Sequence, residues 1–285
     1  LGSVIVQTVP TSGQWIRRKG EDVRAGAVVL NAGDRLTPQA MGLAASVGCA
    51  RVKVLRRPRV ALFSTGDELV MPGEVPPELL RPGAIYNSNR YTLSGLLQTA
   101  GCEVTDLGIV PDKLADTRAA LRLAAQTHDL IVTSGGVSVG EEDHIKPAVQ
   151  AEGRLELWQM AIKPGKPLAF GEVRAENGRS LFIGLPGNPV SSFVTFLLAV
   201  SPVLQTLQGM AWKGLRSRRM RADFDWPKPD RRREFLRARI NADGGVEIYP
   251  NQSSGVLTSA VWAEGLVDQP AGTAVRRGEP VNFLS

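Results

Sequence analysis

Arg59-Val60-Ala61-Leu62-Phe63-Ser64-Thr65-Gly66-Asp67-Glu68-Leu69 is the stretch that decides the fold. Four successive apolar residues run into a small hydroxylated pair and a glycine, which reads as a short buried strand followed by a tight turn. Downstream, a helical pattern over Asn89 to Ala100 is followed by an apolar run from Val104 to Val110. The same alternation repeats with Ala115 to Gln126, Leu130 to Thr133 and Ile145 to Glu152. Strands alternating with helices predict an α/β fold, a doubly wound and mostly parallel sheet with helices on both faces. Further strands are expected at Leu155 to Ala161, Leu168 to Phe170 and Ser180 to Ile183. A long helix then begins with Asn188 as its cap and Pro189 in the first position, where a missing N–H costs nothing. It is apolar almost all round, so it should be buried.

The flanks have a different texture. Residues 1–57 hold β-like pieces at Val4 to Val9 and Ala27 to Leu30, and a helix from Thr37, with Pro38 in its first turn, to Val47, stopped by Gly48. This part does not close on itself and reads as a partial N-terminal segment. With Leu1 first and no basic-then-apolar order after it, more chain is expected upstream. Beyond Gln208 come short strands and turns, with Asp243-Gly244-Gly245 as a hairpin turn. The expected division is a remnant at 1–57, an α/β domain at 58–210 and a small all-β domain at 212–285.

Composition removes several classes. A chain of 285 residues with 43% apolar and 22% charged residues should fold into about two domains, without long disorder or a coiled-coil rod. Val190 to Val200 is interrupted by Ser191, Ser192 and Thr195 and is too short to cross a bilayer, so no membrane span is expected. Cys49 and Cys102 give no disulfide framework and no zinc motif, which suits a reducing cytoplasm. The net charge of +6 is local: from Ala211 to Ile240 there are eleven Lys or Arg against four Asp or Glu. That stretch reads as solvated strand faces without an aromatic stacking ladder, so no nucleic-acid partner is expected.

In an open parallel sheet, ligands bind beyond the carboxyl ends of the strands. The first such turn holds Thr65, Gly66, Asp67 and Glu68; the second has Asp112 after Pro111; the third runs from Ser134, Gly135 and Gly136 through Ser138 to Asp143. Taken singly, each glycine-rich loop also reads as a plain strand-to-helix turn, and each acid as a helix cap. Three acid-bearing turns at one edge would repel one another unless a cation joins them, and an oxygen-ligated Mg²⁺ is the natural completion. Lys163-Pro164-Gly165-Lys166-Pro167 sets two ammonium groups about a turn; it reads either as exposed lysines or as a clamp for a tetrahedral oxyanion. Pro186-Gly187-Asn188-Pro189 leads to a helix start that favours an anion. Together these features describe a site for a phosphorylated ligand.

Four runs occur in order: TGDEL at 65–69, SGGVSVGEED at 134–143, KPGKP at 163–167 and GLPGNPVS at 184–191. Their sequence and spacing closely resemble the molybdopterin molybdenumtransferases, the MoeA and gephyrin E-domain family. The resemblance covers essentially the whole chain and implies a molybdopterin-binding domain followed by a C-terminal β-barrel domain. It implies insertion of molybdenum from molybdate into adenylylated molybdopterin, with Mg²⁺-dependent cleavage of the phosphoanhydride and release of AMP. By motif position the family's functional acids fall on Asp22, Glu68, Asp112 and Asp143, with Glu68, Asp112 and Asp143 as metal ligands. Its lysines fall on Lys163 and Lys166, its prolines on Pro186 and Pro189, and a barrel-domain serine on Ser254. The resemblance also implies a homodimer with a cleft shared between subunits, and exchange with a molybdopterin adenylyltransferase and recipient molybdoenzymes. Two other readings stay open: the adenylyltransferase itself, and a non-catalytic scaffold of the gephyrin kind.

Overall fold

The structure, a computed structural model, describes residues 2–137 and 144–285, apart from the side chains of 157 and 158. Contacts divide the chain into a unit at Leu1–Leu55 and a larger one at Arg56–Ser285. The first unit contains one helix, α1 (Pro38–Ser46), with Thr37 Oγ1 capping Ala40 N at 3.2 Å and Pro38 in the first turn, as its sequence predicts. The strands expected at Val4 to Val9 and Ala27 to Leu30 do not form. Val4, Ile5 and Val9 are more than 80% exposed, and extended apolar residues without a neighbouring strand have no ladder to join.

The larger unit begins with β1 (Arg59–Thr65), the short pair β2 (Leu69–Val70) and β3 (Ile85–Tyr86), and α2 (Ser88–Thr99). Next come β4 (Glu103–Val110), α3 (Leu114–Ala125), β5 (Leu130–Ser134), α4 (Ile145–Glu152), β6 (Gly153–Gln159) and β7 (Ile162–Lys163). Strands β8 (Pro167–Ala175) and β9 (Gly178–Leu185) lead to α5 (Pro189–Thr195), a π-type segment at Phe196–Val200 and α6 (Ser201–Leu207). The first sheet has the order β4-β1-β5-β9-β8-β6. Its first three pairings are parallel, and β8 and β6 join antiparallel. The alternation within β1 shows how both faces are covered. Val60 and Leu62 pack with Leu93 and Leu97 of α2 and Leu204 of α6, while Ala61 and Phe63 pack with Leu121 of α3 and Ile145 of α4. The chain leaves β1 toward β4 on one side and returns to β5 on the other, so the ends of β1 and β5 flank a switch-point crevice.

The helix from Pro189 to Leu207 is 19 residues long, longer than the apolar run suggested, and is apolar enough by composition alone to span a bilayer. Its buried residues are instead committed to protein. Phe196, Val200 and Leu204 close one face of the first sheet, and Val190 and Val194 pack against Phe235, Leu266 and Leu284 of the second.

That second sheet contains β10 (Ser217–Arg221), β11 (Arg233–Ile240), β12 (Val246–Ile248), β13 (Gly265–Gln269) and β14 (Pro280–Leu284) in the order β10-β14-β13-β11-β12. A bridge between Ala222 and Val246 brings the two ends of this path together. Asn241 to Gly245 make the turn before β12, with Gly244 N donating to Asn241 O at 3.0 Å. The region is not purely β, since α7 (Leu257–Trp262) lies against β11. This helix explains a second departure from the sequence reading. Arg237 is only 1% exposed rather than solvated, and it donates to Ser259 Oγ on α7 at 3.1 Å and to Phe235 O at 3.1 Å. Other arginines of the basic stretch are held in ion pairs: Arg221 with Asp223, Arg233 with Asp268, and Arg239 with Glu247. The local charge surplus is therefore partly the cation half of internal pairs.

Candidate functional site

A cavity of about 780 Å³ opens at the carboxyl edge of the parallel strands, where the switch point places it. The turn after β1 contributes Thr65, Gly66 and Glu68, the turn after β5 contributes Ser134 to Val137, and the turn after β9 contributes Pro186 to Asn188. Asp112 enters from the loop after β4, Asn87 to Asn89 from the start of α2, and Gly255 from the β domain. Residues remote in sequence thus meet because the parallel strands end at the same level.

The turn after β5 is tightly specified. Ser134 pairs with both Ser64 and Leu185 across the sheet, and Gly135 N donates to Leu185 O at 3.1 Å. Gly135 has φ +89°, and a Cβ there would stand closer than 3.0 Å to the Thr65 carbonyl oxygen. Only glycine satisfies both constraints. In the first turn, the Glu68 carboxylate lies over Gly66, in the space a side chain at 66 would take. Glu68 and Asp112 line the cavity, whereas Asp67 is exposed and does not. Ser138 and Asp143 lie outside the described residues.

The donors on this wall are oxygens: two carboxylates and the Thr65 hydroxyl, which is buried without a hydrogen-bond partner among the described residues. That chemistry fits a hard cation such as Mg²⁺ better than zinc or copper. Among the described residues, no group of three or more His, Cys, Asp or Glu side chains comes together.

The two lysines do not join the acids. Lys163 Nζ lies 3.1 Å from Glu234 Oε1 and 3.2 Å from Asp230 Oδ2. It faces a separate cavity of about 220 Å³ that Arg237 also lines. Burial works against the Lys163 charge, but hydrogen bonds to Glu234 and Asp230 outweigh it and raise the pKa. Glu234, 1% exposed, also accepts from Trp226 Nε1 and Asp230 N, both at 2.9 Å. The cause is β7, whose Lys163 pairs in register with Glu234 of β11. Lys166 is exposed, although the next residue, Pro167, lines the main cavity. Burial lowers the Arg237 guanidinium to about 10.

The helix start differs from its sequence reading as well. Asn188 gives no side-chain cap, and the Val190 N–H expected to serve an anion donates to Ser254 O at 3.0 Å. Ser254 thereby sits beside the cleft of its own chain. Asp22 is exposed in the first unit. Asn87 and Asn89 are not singled out by the sequence pattern: Asn87 lies just ahead of the helical run and Asn89 begins it. Asn87 caps α2 through its Oδ1, 3.2 Å from Arg90 N, a signal available from an Asn ahead of a helical run.

The first sheet with its switch-point cavity, followed by a second, mainly antiparallel sheet, defines an α/β protein of the doubly wound class with a β-rich C-terminal region. Comparison with known proteins gives the class a name. Residues 61–206 match the family described as a probable molybdopterin binding domain, 2–48 the MoeA N-terminal region (domains I and II), and 219–285 the MoeA C-terminal region (domain IV). The chain belongs to the MoeA family of molybdopterin molybdenumtransferases. It is 44% identical over 250 residues to the molybdopterin molybdenumtransferase of Haemophilus influenzae, covering 87% of this chain and 60% of that protein. It is 37% identical to molybdopterin molybdenumtransferase 2 of Mycobacterium tuberculosis, covering 94% and 66%. The crystal structure of the molybdopterin biosynthesis MoeA protein from Pyrococcus horikosii superposes with a TM-score of 0.77 at 30% identity, over 94% of this chain and 64% of that one. The chain thus spans about three fifths to two thirds of the length of these relatives.

Proposed function

We propose that this chain carries out molybdenum insertion into molybdopterin, taking adenylylated molybdopterin and molybdate as substrates and releasing AMP. The observation that carries this reading is the convergence of the Gly66, Gly135 and Gly187 turns with Glu68 and Asp112 on one cavity of about 780 Å³. That volume suits a ligand of dinucleotide size. Glycine turns let phosphate oxygens approach the main chain. Glu68 and Asp112 would hold Mg²⁺, which when bound offsets the negative charge developing on the phosphoanhydride oxygens. The Ser134 and Thr65 hydroxyls orient the phosphates. Lys163 and Arg237 are committed within the chain, to Glu234 and Asp230 and to Ser259 and Phe235, so of the two lysines it is the exposed Lys166, next to Pro167 of the cavity wall, that is left for the oxyanion. Asp22, Asp143 and Ser254 complete the set by family position, and Ser138 as a residue of the glycine-rich run that starts at Ser134. The resemblance further supports a homodimer working in the cytoplasm between an adenylyltransferase and a recipient molybdoenzyme.

The test is AMP release from adenylylated molybdopterin on addition of molybdate in Mg²⁺ buffer. Wild-type chain should release AMP, whereas Glu68→Gln and Asp112→Asn should each slow release at least tenfold, as expected for loss of one charged contact. Release that is independent of molybdate, or unchanged in both variants, overturns the assignment.

A further inference from the structure

Asn89 is the side chain that ties the cavity wall together. It is 8% exposed, and both hydrogens of its carboxamide are used, one on Ser134 Oγ and one on Gly187 O, each at 2.7 Å. The three residues come from the start of α2, the end of β5 and the loop after β9, and the two partners are 45 and 98 residues from Asn89 in sequence. Gly187 O can only accept, so the nitrogen of the carboxamide must face it, and the orientation of Asn89 is fixed by its neighbours. Ser134 Oγ is then compelled to be an acceptor toward Asn89. Its own hydroxyl hydrogen remains for another group, and Ser134, 3% exposed, is on the cavity wall. Asn89 Oδ1 is buried in the same wall without a hydrogen-bond partner among the described residues, so none of them competes to turn the side chain over.

We infer that Asn89 is a positioning residue: it polarises the Ser134 hydroxyl as a hydrogen-bond donor into the cavity and fixes the gap between the Ser134-Gly135 and Gly187-Asn188 turns. The ligand group this prepares for is an anionic oxygen, since a donor held in a partly dry wall is most effective against charge. The inference rests on the proposed phosphorylated substrate and adds how this chain would orient it.

The discriminating substitution is Asn89→Asp, which keeps the shape and reverses the polarity. A carboxylate cannot donate to Gly187 O, and it would draw the Ser134 hydrogen onto itself and away from the ligand. Equilibrium binding of adenylylated molybdopterin, followed by pterin fluorescence, should weaken at least tenfold in Asn89→Asp and severalfold in Ser134→Ala, with KM rising more than kcat falls. The double variant should bind about as Asn89→Asp does, because once the introduced carboxylate has taken the hydroxyl hydrogen there is little left to remove. Asn89→Asp is expected to lower stability too, so Ser134→Ala, a small truncation, is the decisive arm. A loss of binding in Ser134→Ala, measured at a temperature where the variant is fully folded, supports the inference, a modest fall in melting temperature being expected from the Asn89 N–H left unpaired. Binding unchanged in Ser134→Ala, or strictly additive effects in the double variant, overturns it. If wild-type chain fails to bind this substrate at all, it is the functional assignment that falls.

Discussion

Replacing Gly135 by Ala tests the argument that built the cavity. The residue has φ +89°, and an added Cβ would stand closer than 3.0 Å to the Thr65 carbonyl oxygen and 3.6 Å from Thr65 Oγ1. Neither partner can retreat, since Thr65 ends a strand paired on both sides and Gly135 N is held by Leu185 O. The left-handed backbone costs a residue with a Cβ roughly 1–2 kcal/mol, and overpacking against fixed neighbours adds about 1–3 kcal/mol. A destabilisation of about 2–5 kcal/mol follows, which for a unit of this size lowers the melting temperature by roughly 5–15 °C. Gly187→Ala is the matched control in the facing turn, because its φ is not in the left-handed region and its nearest neighbour, Gly135 Cα, is 3.8 Å away. That variant should stay within about 0.5 kcal/mol of wild type. Urea unfolding followed by circular dichroism gives both differences, provided the m-values agree. Gly135→Ala unfolding like wild type, or the two variants losing equal stability, would refute the reasoning.

Three further outcomes are expected. Lys163→Ala should lower stability by about 1–2 kcal/mol because it leaves the buried Glu234 carboxylate without its cation, discounted for the partial exposure of the lysine; Lys166→Ala, at an exposed position, should unfold like wild type, and equal melting losses would contradict the pairing. Hydrogen bonds from Arg221 and then Asn241 hold the Asp223 carboxyl at about 2, below its ordinary 3.8, so the stability it contributes is full above pH 4 and is lost as pH falls through about 2. The stability gap between wild type and Asp223→Asn should therefore shrink on going from pH 5 to pH 2, and a gap that is constant or widens would reverse the sign. Burial pushes the Cys102 thiol up to about 11, whereas Cys49 is exposed; labelling with a thiol reagent at pH 8 should show one fast and one slow group, and two equal rates would contradict the burial.

Much was legible in the sequence because the information is local. Apolar runs of four to eight residues separated by helical patterns specify parallel strands covered on both faces, and the strands and helices expected in the α/β region are observed within a few residues, whereas the two-residue strands β2, β3 and β7 carry no such signal. Thr37 with Pro38, and the glycines closing each turn, announced themselves for the same reason: a cap or a left-handed residue is a property of one or two positions. So did the family, whose four motifs are short runs read directly from the sequence.

What tertiary structure alone decided was which charges meet. Glu68 and Asp112 reach a common cavity because β1 and β4 end side by side, while Asp67, next in sequence to Glu68, is not part of its wall. Lys163 reads as a clamp for an oxyanion until β7 is seen to lie along β11, which commits the ammonium to Glu234 and Asp230. Arg237 reads as a solvated strand residue until α7 covers it, and Val190 N–H reads as free until Ser254 O takes it. Asn89 carries no signal beyond being polar at a helix start, yet it joins turns that lie 45 and 98 residues away. The physical reason is the same in each case. Strand and turn propensities are set by neighbours along the chain, whereas the partner of a charge or an amide is set by neighbours in space, and those exist only after the sheets have closed.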